Sequence, residues 1–336
     1  MLVRSLAAAT VIGGLMSSTA LAQGFLVSNN GLVAIGVDAG GFLNIDATPL
    51  GGPSTDNAGS LGIAYNFSGQ GGRTGWQDAL SPGCLCEDLG VAGNGLGSAI
   101  GGNSGNIGVT VGADVFVPGT SHTSTITAAA GLTVTQVLTK SAETTTGALF
   151  NAKVTITNST GATVTGVQYA RAMDWDVPPT EFNEFVEHAG VVIGPGNLLH
   201  ATDDGFASAN PLTAILNSGI AVVPNTNGDQ GGIADHGSLF VFGFGDLDDG
   251  ESVTFDIFYG AGANRADALA LVTAVSAELY SLGYSSVGGT RQDELPVYVF
   301  AFSGVGLPPI GVPAPAGLGL FGLALLGLAW AKHRRA

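Results

Sequence analysis

Polar and apolar residues alternate along most of the chain between positions 25 and 302. The alternation is clearest in four stretches rich in threonine, valine and aromatic residues, at 105–117, 132–139, 149–157 and 163–173. Successive side chains of a β-strand point to opposite faces, so a period of two is typical of half-buried antiparallel strands. Short strands at regular spacing predict an all-β fold, a large antiparallel β-sandwich.

Turn-forming residues separate these stretches. The sequence Asn-Ser-Thr-Gly at 158–161 predicts a hairpin between the last two of them. The acidic segment 246–251 lacks the acidic spacing of an EF-hand loop and predicts a hairpin turn before a strong strand at 252–259. A glycine-rich segment at 90–108 predicts a long loop.

One amphipathic helix is predicted near the C-terminal end of this β-rich body. Asn264 is a good N-cap, and Asp267 follows it at the spacing of a capping box. Apolar residues then recur every three or four positions, at Leu269, Val272, Val275, Leu279 and Leu282. Gly283 follows as a natural residue after the last turn, so the helix is expected to pack one face on a sheet.

The N-terminal residues 1–22 have the three parts of a secretory signal peptide. Arg4 provides a positive start, 6–16 is a short apolar core, and Ala20 and Ala22 have the small-x-small form of a cleavage site. Cleavage is expected after Ala22, with the Sec translocon and signal peptidase as partners.

The C-terminal residues 312–336 also have three parts. A proline-stiffened stretch at 312–316 comes first, and an uncharged apolar run at 316–331 follows it. A basic tail at 332–336 closes the chain. The run predicts a transmembrane helix, and the basic tail places its end in the cytoplasm and the body outside.

This tail resembles the PEP-CTERM sorting signal of Gram-negative bacteria, in the variant whose motif is Val-Pro-x-Pro-Ala. Val312, Pro313, Pro315 and Ala316 match the motif, and Ala314 stands where the common form has glutamate. The resemblance implies processing near the motif by an exosortase, a membrane cysteine enzyme. It also implies a surface or extracellular-matrix protein of an exopolysaccharide-producing, biofilm-forming bacterium.

We expect the body, residues 23–311, to be one domain. Its composition excludes several classes of function and fold. The chain has 26 acidic and 10 basic residues among its 336, a net charge of −16. Nucleic-acid binding requires lysine and arginine to neutralise phosphate, so this balance argues against it. The 54 glycines and the low charged fraction of 11% argue against a coiled coil or helical bundle.

The two cysteines of the chain are Cys84 and Cys86. In an exported protein they are expected to oxidise to a disulfide. A bond across one intervening residue closes a tight ring, which makes it easier to reduce than most. One alternative is a redox or metal-binding role, although no second cysteine pair or nearby histidine supports zinc. The other alternative is that the two cysteines form disulfides with another chain.

The most unusual segment runs from Met173 to Glu184. At strand spacing Asp174 and Asp176 point to one face and Trp175 to the other, and Glu181 and Glu184 follow. One interpretation is a solvated strand end with Trp175 as a core anchor. The second is a calcium site, because Ca²⁺ binds six to eight oxygen ligands. The third is a pair of carboxylates of the glycosidase type.

The body also resembles a group of uncharacterised secreted bacterial β-proteins. The blocks that carry the resemblance are Pro-Gly-Cys-Leu-Cys-Glu at 82–87, Met-Asp-Trp-Asp-Val-Pro-Pro-Thr at 173–180, and the segments 255–260 and 300–304. The resemblance implies a shared fold and export, with no assigned activity.

These observations favour a non-enzymatic, exported surface or matrix protein that an exosortase processes and that associates with exopolysaccharide. A calcium- or carbohydrate-binding module with its site between Asp174 and Glu184 is the first alternative. A secreted hydrolase that uses the same carboxylates is the second. No cofactor other than Ca²⁺ is suggested by the sequence.

Overall fold

The computed structural model describes most of the body of the chain. Its described residues are 23–310 except 85, 103–104, 129–130, 195–196 and 214–224. The predicted signal peptide and the predicted sorting signal, with its transmembrane helix, lie outside them. Within the described part of the chain, no helix is both long enough and apolar enough to cross a membrane.

The all-β class is confirmed, since 51% of the chain is strand and the described residues contain one α-helix. The strands form three antiparallel sheets. The four-stranded sheet has the order β1 (Gly24–Val27), β2 (Val33–Val37), β3 (Ile63–Ser68) and β4 (Thr74–Asp78). The five-stranded sheet has the order β13 (Leu198–Thr202), β15 (Gly237–Leu247), β11 (Val164–Asp174), β5 (Glu87–Gly93) and β6 (Gly97–Gly102). The nine-stranded sheet has the order β14 (Gly228–Asp229), β12 (Phe185–Ala189), β17 (Leu279–Tyr284), β18 (Val297–Ser303), β16 (Ser252–Gly262), β10 (Ala148–Asn158), β9 (Leu132–Glu143), β8 (Ser121–Ala128) and β7 (Val109–Val117).

The largest apolar core draws side chains from all three sheets. Its centre is aromatic: Phe242 of β15 meets Phe302 of β18 with ring centroids 4.9 Å apart, and Phe240 lies 5.8 Å from Phe300. Alternate residues of these strands point into the core, as their period of two predicts. The five-stranded and nine-stranded sheets therefore pack face to face.

The predicted hairpin across 158–161 is wrong, because β10 and β11 belong to different sheets. Strand β10 pairs with β9 and β16, whereas β11 pairs with β15 and β5. The amide of Asn158 donates to the carbonyls of Ala162 and Leu247, which ties the crossing chain to the end of β15. The turn at 246–251 likewise joins β15 to β16 in the other sheet, so it is no hairpin.

The predicted long loop at 90–108 is also wrong over most of its length. Strands β5 and β6 pair there as an antiparallel hairpin. Glycine is needed within β5 for close packing, since a Cβ on Gly90 would lie 1.7 Å from the carbonyl oxygen of Ala209. The glycine at position 90 thus lets the backbone at Ala209 pack directly against strand β5.

The predicted helix is present but shorter. Helix α1 spans Arg265–Ala274, and the Asn264 side chain accepts a hydrogen bond from the Asp267 N–H, as the cap predicts. Leu279 and Leu282 lie in strand β17, whose six residues are all buried, so their spacing reflects complete burial. Gly283 lies inside that strand. The helix buries Ala268, Leu271 and Val272 in a second apolar cluster that contains residues of the nine-stranded sheet.

A buried ion pair joins the five-stranded sheet to the nine-stranded sheet and to the segment after β2. Arg171 of β11 donates from Nε to Glu87 of β5 at 2.7 Å, and both side chains are at most 1% exposed. Glu87 also accepts hydrogen bonds from the Tyr259 hydroxyl and from the backbone N–H of Leu43, and Arg171 donates to Gln136. Burial raises the pKa of Glu87, and the Arg171 guanidinium opposes that rise. Each nitrogen of the Arg171 guanidinium and each carboxylate oxygen of Glu87 therefore has a hydrogen-bond partner.

Replacing Glu87 with glutamine leaves the Arg171 charge buried without its counter-charge. Breaking a buried pair in this way costs about 3–5 kcal/mol. We therefore expect E87Q to lower the free energy of unfolding by that amount, measured by urea denaturation. The control is K153Q, which removes the exposed Lys153–Asp256 pair and is expected to cost at most about 1 kcal/mol. Equal stabilities of the two variants would contradict the role of the buried pair.

Candidate metal centre

Four backbone hydrogen bonds fix the acidic segment that follows β11. The N–H groups of Asp174, Trp175 and Asp176 donate to the carbonyls of Cys86, His236 and Ala79 at 2.9–3.0 Å. Further along, the Glu184 N–H donates to the Ala234 carbonyl. The segment is thus held between the start of β5 and the loop that leads into β15.

Trp175 anchors this segment in the core. Its side chain is fully buried, and its indole N–H donates to Ser281 Oγ at 3.0 Å. Ser238 Oγ lies 2.7 Å from Ser281 Oγ and 3.0 Å from His188 Nε2, which extends the network across the two large sheets. The position of Trp175 sends its two aspartate neighbours to the opposite side, as the strand spacing predicts.

Three carboxylates meet on that opposite side. Oxygen atoms of Asp174, Asp176 and Asp235 all lie within 4.8 Å of one another. Asp174 is 2% exposed, Asp176 and Glu184 are 0% exposed, and Asp235 is partly exposed. The interpretation of these acids as a solvated strand end is therefore wrong, because the loops on either side cover them.

Several oxygen atoms of this group have no hydrogen-bond partner among the described residues. They are Oδ1 of Asp174, both carboxylate oxygens of Asp176, Oε2 of Glu184 and Oδ1 of Asp235. Buried polar atoms are almost always paired, so an unpaired set points to an ion or water as its partner. The unpaired Asp176 carboxylate is the clearest case, since both of its oxygens are affected.

The electrostatics of the group agree with its geometry. Burial, followed by the nearby Asp176 charge, raises the pKa of Asp174 to about 9. Burial and the Asp235 charge raise the pKa of Asp176 to about 8. The backbone N–H of Phe182 acts in the opposite direction, although it does not make a hydrogen bond of normal geometry to either Asp176 oxygen. Burial raises the pKa of Glu184 to about 10, with further contributions from Asp174, Asp176 and Asp235. A bound cation would remove this repulsion.

Glu181 is not part of this group. Its two carboxylate oxygens accept hydrogen bonds of 3.1 Å from Arg73 Nη2, and one also accepts from the Asn57 amide. The positive charge of the arginine already balances the negative charge of this carboxylate. Of the four predicted ligands, the structure brings Asp174 and Asp176 together with Glu184 close to them.

Asp235 is the acid that the sequence analysis did not predict. It lies on a loop held by its neighbour His236, whose Nδ1 is 2.9 Å from Asp203 Oδ2 and whose Nε2 is 2.9 Å from the Gly232 carbonyl. These two contacts hold the ring in place and fix the loop that carries Asp235. The backbone N–H of His236 also donates to Glu184. No sequence spacing links this loop to the 174–184 segment.

The two cysteines lie beside the same group. Cys84 and Cys86 form a disulfide with their Cα atoms 5.2 Å apart, within the usual range. Cys84 Sγ is 3.7 Å from Asp174 Oδ2. The disulfide and the carboxylates therefore lie together at one end of the paired strands β5 and β11.

A buried set of hard oxygen atoms suits a divalent cation such as Ca²⁺. A sugar ring cannot contact Asp174, Asp176 and Glu184 while they are at most 2% exposed. Comparison of the chain with protein-family models, curated proteins and solved structures finds no match. Its function is therefore inferred from the chemistry of this site.

The network that holds Trp175 should make stability depend on pH through His188. Burial lowers the pKa of His188 to about 3 from its ordinary 6.5. Between these values the unfolded chain binds one proton more than the folded chain at this residue. The contribution of a neutral His188 to stability is therefore retained above pH 6.5 and lost as the pH falls from 6.5 towards 3. The expected slope is about 1.4 kcal/mol per pH unit.

The measurement is urea denaturation between pH 7 and pH 4 of the wild type and of H188Q, which does not titrate in this range. We expect the free energy of unfolding of the wild type to fall more steeply with acid than that of H188Q. Parallel pH profiles for the two proteins would contradict a neutral, buried His188.

Proposed function

We propose that this chain is an exported, non-enzymatic surface or extracellular-matrix protein whose β-body binds calcium between Asp174, Asp176 and Asp235, with Glu184 beside them. One observation carries the cation site: the Asp176 side chain is completely buried, and neither of its oxygens accepts a hydrogen bond of normal geometry from a described residue. Loss of hydration at such a group costs several kcal/mol unless a counter-charge replaces the water.

The ligand chemistry favours Ca²⁺ over other divalent ions. Calcium binds carboxylate oxygens at about 2.3–2.6 Å in flexible geometry. The oxygens of the three aspartates lie within 4.8 Å of one another, close enough to share one cation. Magnesium prefers a smaller, strictly octahedral shell in which water supplies most ligands. A buried group of three or four carboxylates therefore fits calcium better.

The two ends of the chain support export. Residues 1–22 have the features of a signal peptide, which implies the Sec translocon and signal peptidase as partners. The motif at 312–316, the apolar run at 316–331 and the basic tail at 332–336 resemble a PEP-CTERM signal, which implies an exosortase. A body rich in acids also suits contact with divalent cations and exopolysaccharide outside the cell. The burial of the carboxylates supports a binding role over a hydrolase.

Calcium is expected to stabilise the folded chain by mass action. At a concentration one hundred times the dissociation constant, the gain in unfolding free energy is about 2.7 kcal/mol. We would melt the full chain, first freed of divalent ions with a chelator, with and without CaCl₂. D176N is expected to lose most of the gain, because it removes the unpaired carboxylate.

The matched control is D56N, which makes the same change at an exposed acid and should keep the full gain. Near-ultraviolet circular dichroism establishes that D176N is folded, and titration calorimetry of the wild type tests binding independently of any variant. Absence of calcium binding by the wild type, or an equal gain in D176N, would overturn the proposed site.

Processing at the C-terminus is tested separately. The double variant P313A/P315A, produced in an exosortase-containing bacterium, is expected to keep its C-terminal segment because the motif is removed. The control P308A/P309A changes the proline pair just upstream and should be processed like the wild type. Mass spectrometry of the C-terminal peptide distinguishes the two results. Equal processing of both variants would exclude the motif as the recognition element.

A further inference from the structure

A second group of potential metal ligands overlaps the first. The sulfur atoms of Cys84 and Cys86 and a carboxylate oxygen of Asp174 lie within 4.8 Å of one another. Asp174 thus belongs to both groups. The calcium proposal makes no use of the two sulfurs.

Local structure holds the sulfurs against the carboxylate. The Asp174 N–H donates to the Cys86 carbonyl at 3.0 Å, and the next residues, Glu87 and Met173, are paired in the β5–β11 ladder. Breaking the S–S bond leaves these backbone contacts in place. Both cysteines are partly exposed, so a small reductant can reach the bond.

We propose that reduction of the Cys84–Cys86 disulfide creates a soft-metal site, in which two thiolates and the Asp174 carboxylate bind Zn²⁺ or Cd²⁺. Thiolates select soft divalent ions, whereas the neighbouring aspartate oxygens select hard ones. Three protein ligands with water in the fourth position form an ordinary tetrahedral shell for zinc. Whether Cys84 and Cys86 are reduced or oxidised then decides which class of cation binds at this end of β5 and β11.

The chemistry balances with a dithiol as reductant. The dithiol supplies two electrons, which break the Cys84–Cys86 bond, and its two protons pass to the two sulfurs. The dithiol itself is oxidised to a cyclic disulfide. When the cation binds, the two thiol protons go to solvent and both sulfurs coordinate as thiolates.

The experiment uses the full chain and cadmium, whose bonds to thiolate give an ultraviolet charge-transfer band. The chain is reduced with dithiothreitol, desalted without air, and its two free thiols are counted before titration with CdCl₂. We expect the band to saturate at one cadmium per chain. The oxidised chain and the double variant C84S/C86S should show no band.

The contribution of Asp174 separates this site from simple binding by a thiol pair. D174N is expected to weaken cadmium binding by about tenfold or more, as losses of supporting contacts at metal sites do, while D56N should bind like the wild type. Bound cadmium should also protect both thiols of the wild type from alkylation, a readout that needs no variant. Absence of the band, unchanged affinity in D174N or unprotected thiols would each overturn the proposal.

The site does not depend on calcium binding by the oxygen group. A reduced chain that binds cadmium while the oxidised chain fails to bind calcium would sustain this inference and overturn the proposed function. The reverse result would overturn this inference alone.

Discussion

The ion pair between Arg171 and Glu87 is the interaction on which the arrangement of the sheets depends. Strands β11 and β5 carry its two charges, while its hydrogen-bonded partners come from the nine-stranded sheet and from the segment after β2. A buried charge tolerates little displacement from its counter-charge, because desolvation is costly at every other position. Asp174 lies three residues after Arg171, and Cys86 directly precedes Glu87. The pair therefore fixes the register at the point where the metal centre begins.

The partners of the carboxylates distinguish this centre from other acids of the body. Glu87 is paired with Arg171 and Glu181 with Arg73, and Asp203 Oδ2 lies 2.9 Å from His236 Nδ1. The carboxylates of Asp174 and Asp176 have no such cation among the described residues. Asp78 is fully buried without such an ion pair, but its carboxylate accepts hydrogen bonds from the N–H groups of Gly62, Leu80 and Ser81. The Asp176 carboxylate stands out because it has neither kind of partner among the described residues. Under the proposed function, a bound calcium ion supplies the counter-charge that these acids lack.

The sequence predicted the parts of this structure that depend on local pattern. Alternation located β7, β9, β10, β11 and β16, and Asn264 located the start of the helix. The pairing of strands was not predictable in the same way, because a period of two gives the buried face of β10 but not its neighbour. For the site, the strand spacing correctly placed Asp174 and Asp176 together and Trp175 opposite. Asp235 was missed because long-range contacts bring its loop to the site, namely the bridge between Glu184 and Ala234 and the hydrogen bond from the Trp175 N–H to the His236 carbonyl. Glu181 was included because its partner Arg73 is distant in sequence.

The shared position of Asp174 links metal choice to location under the proposed export. Before export a chain meets a reducing environment, in which the two thiols persist and a soft cation finds sulfur ligands. Outside the cell the disulfide forms, and calcium-binding modules there need only weak affinity, at dissociation constants of about 10⁻⁴–10⁻³ M. Oxidation removes the sulfur ligands from the edge of the sheet, and calcium neutralises the remaining carboxylates. The centre would then reach its most stable state only after export, because both the oxidant and the hard cation act there.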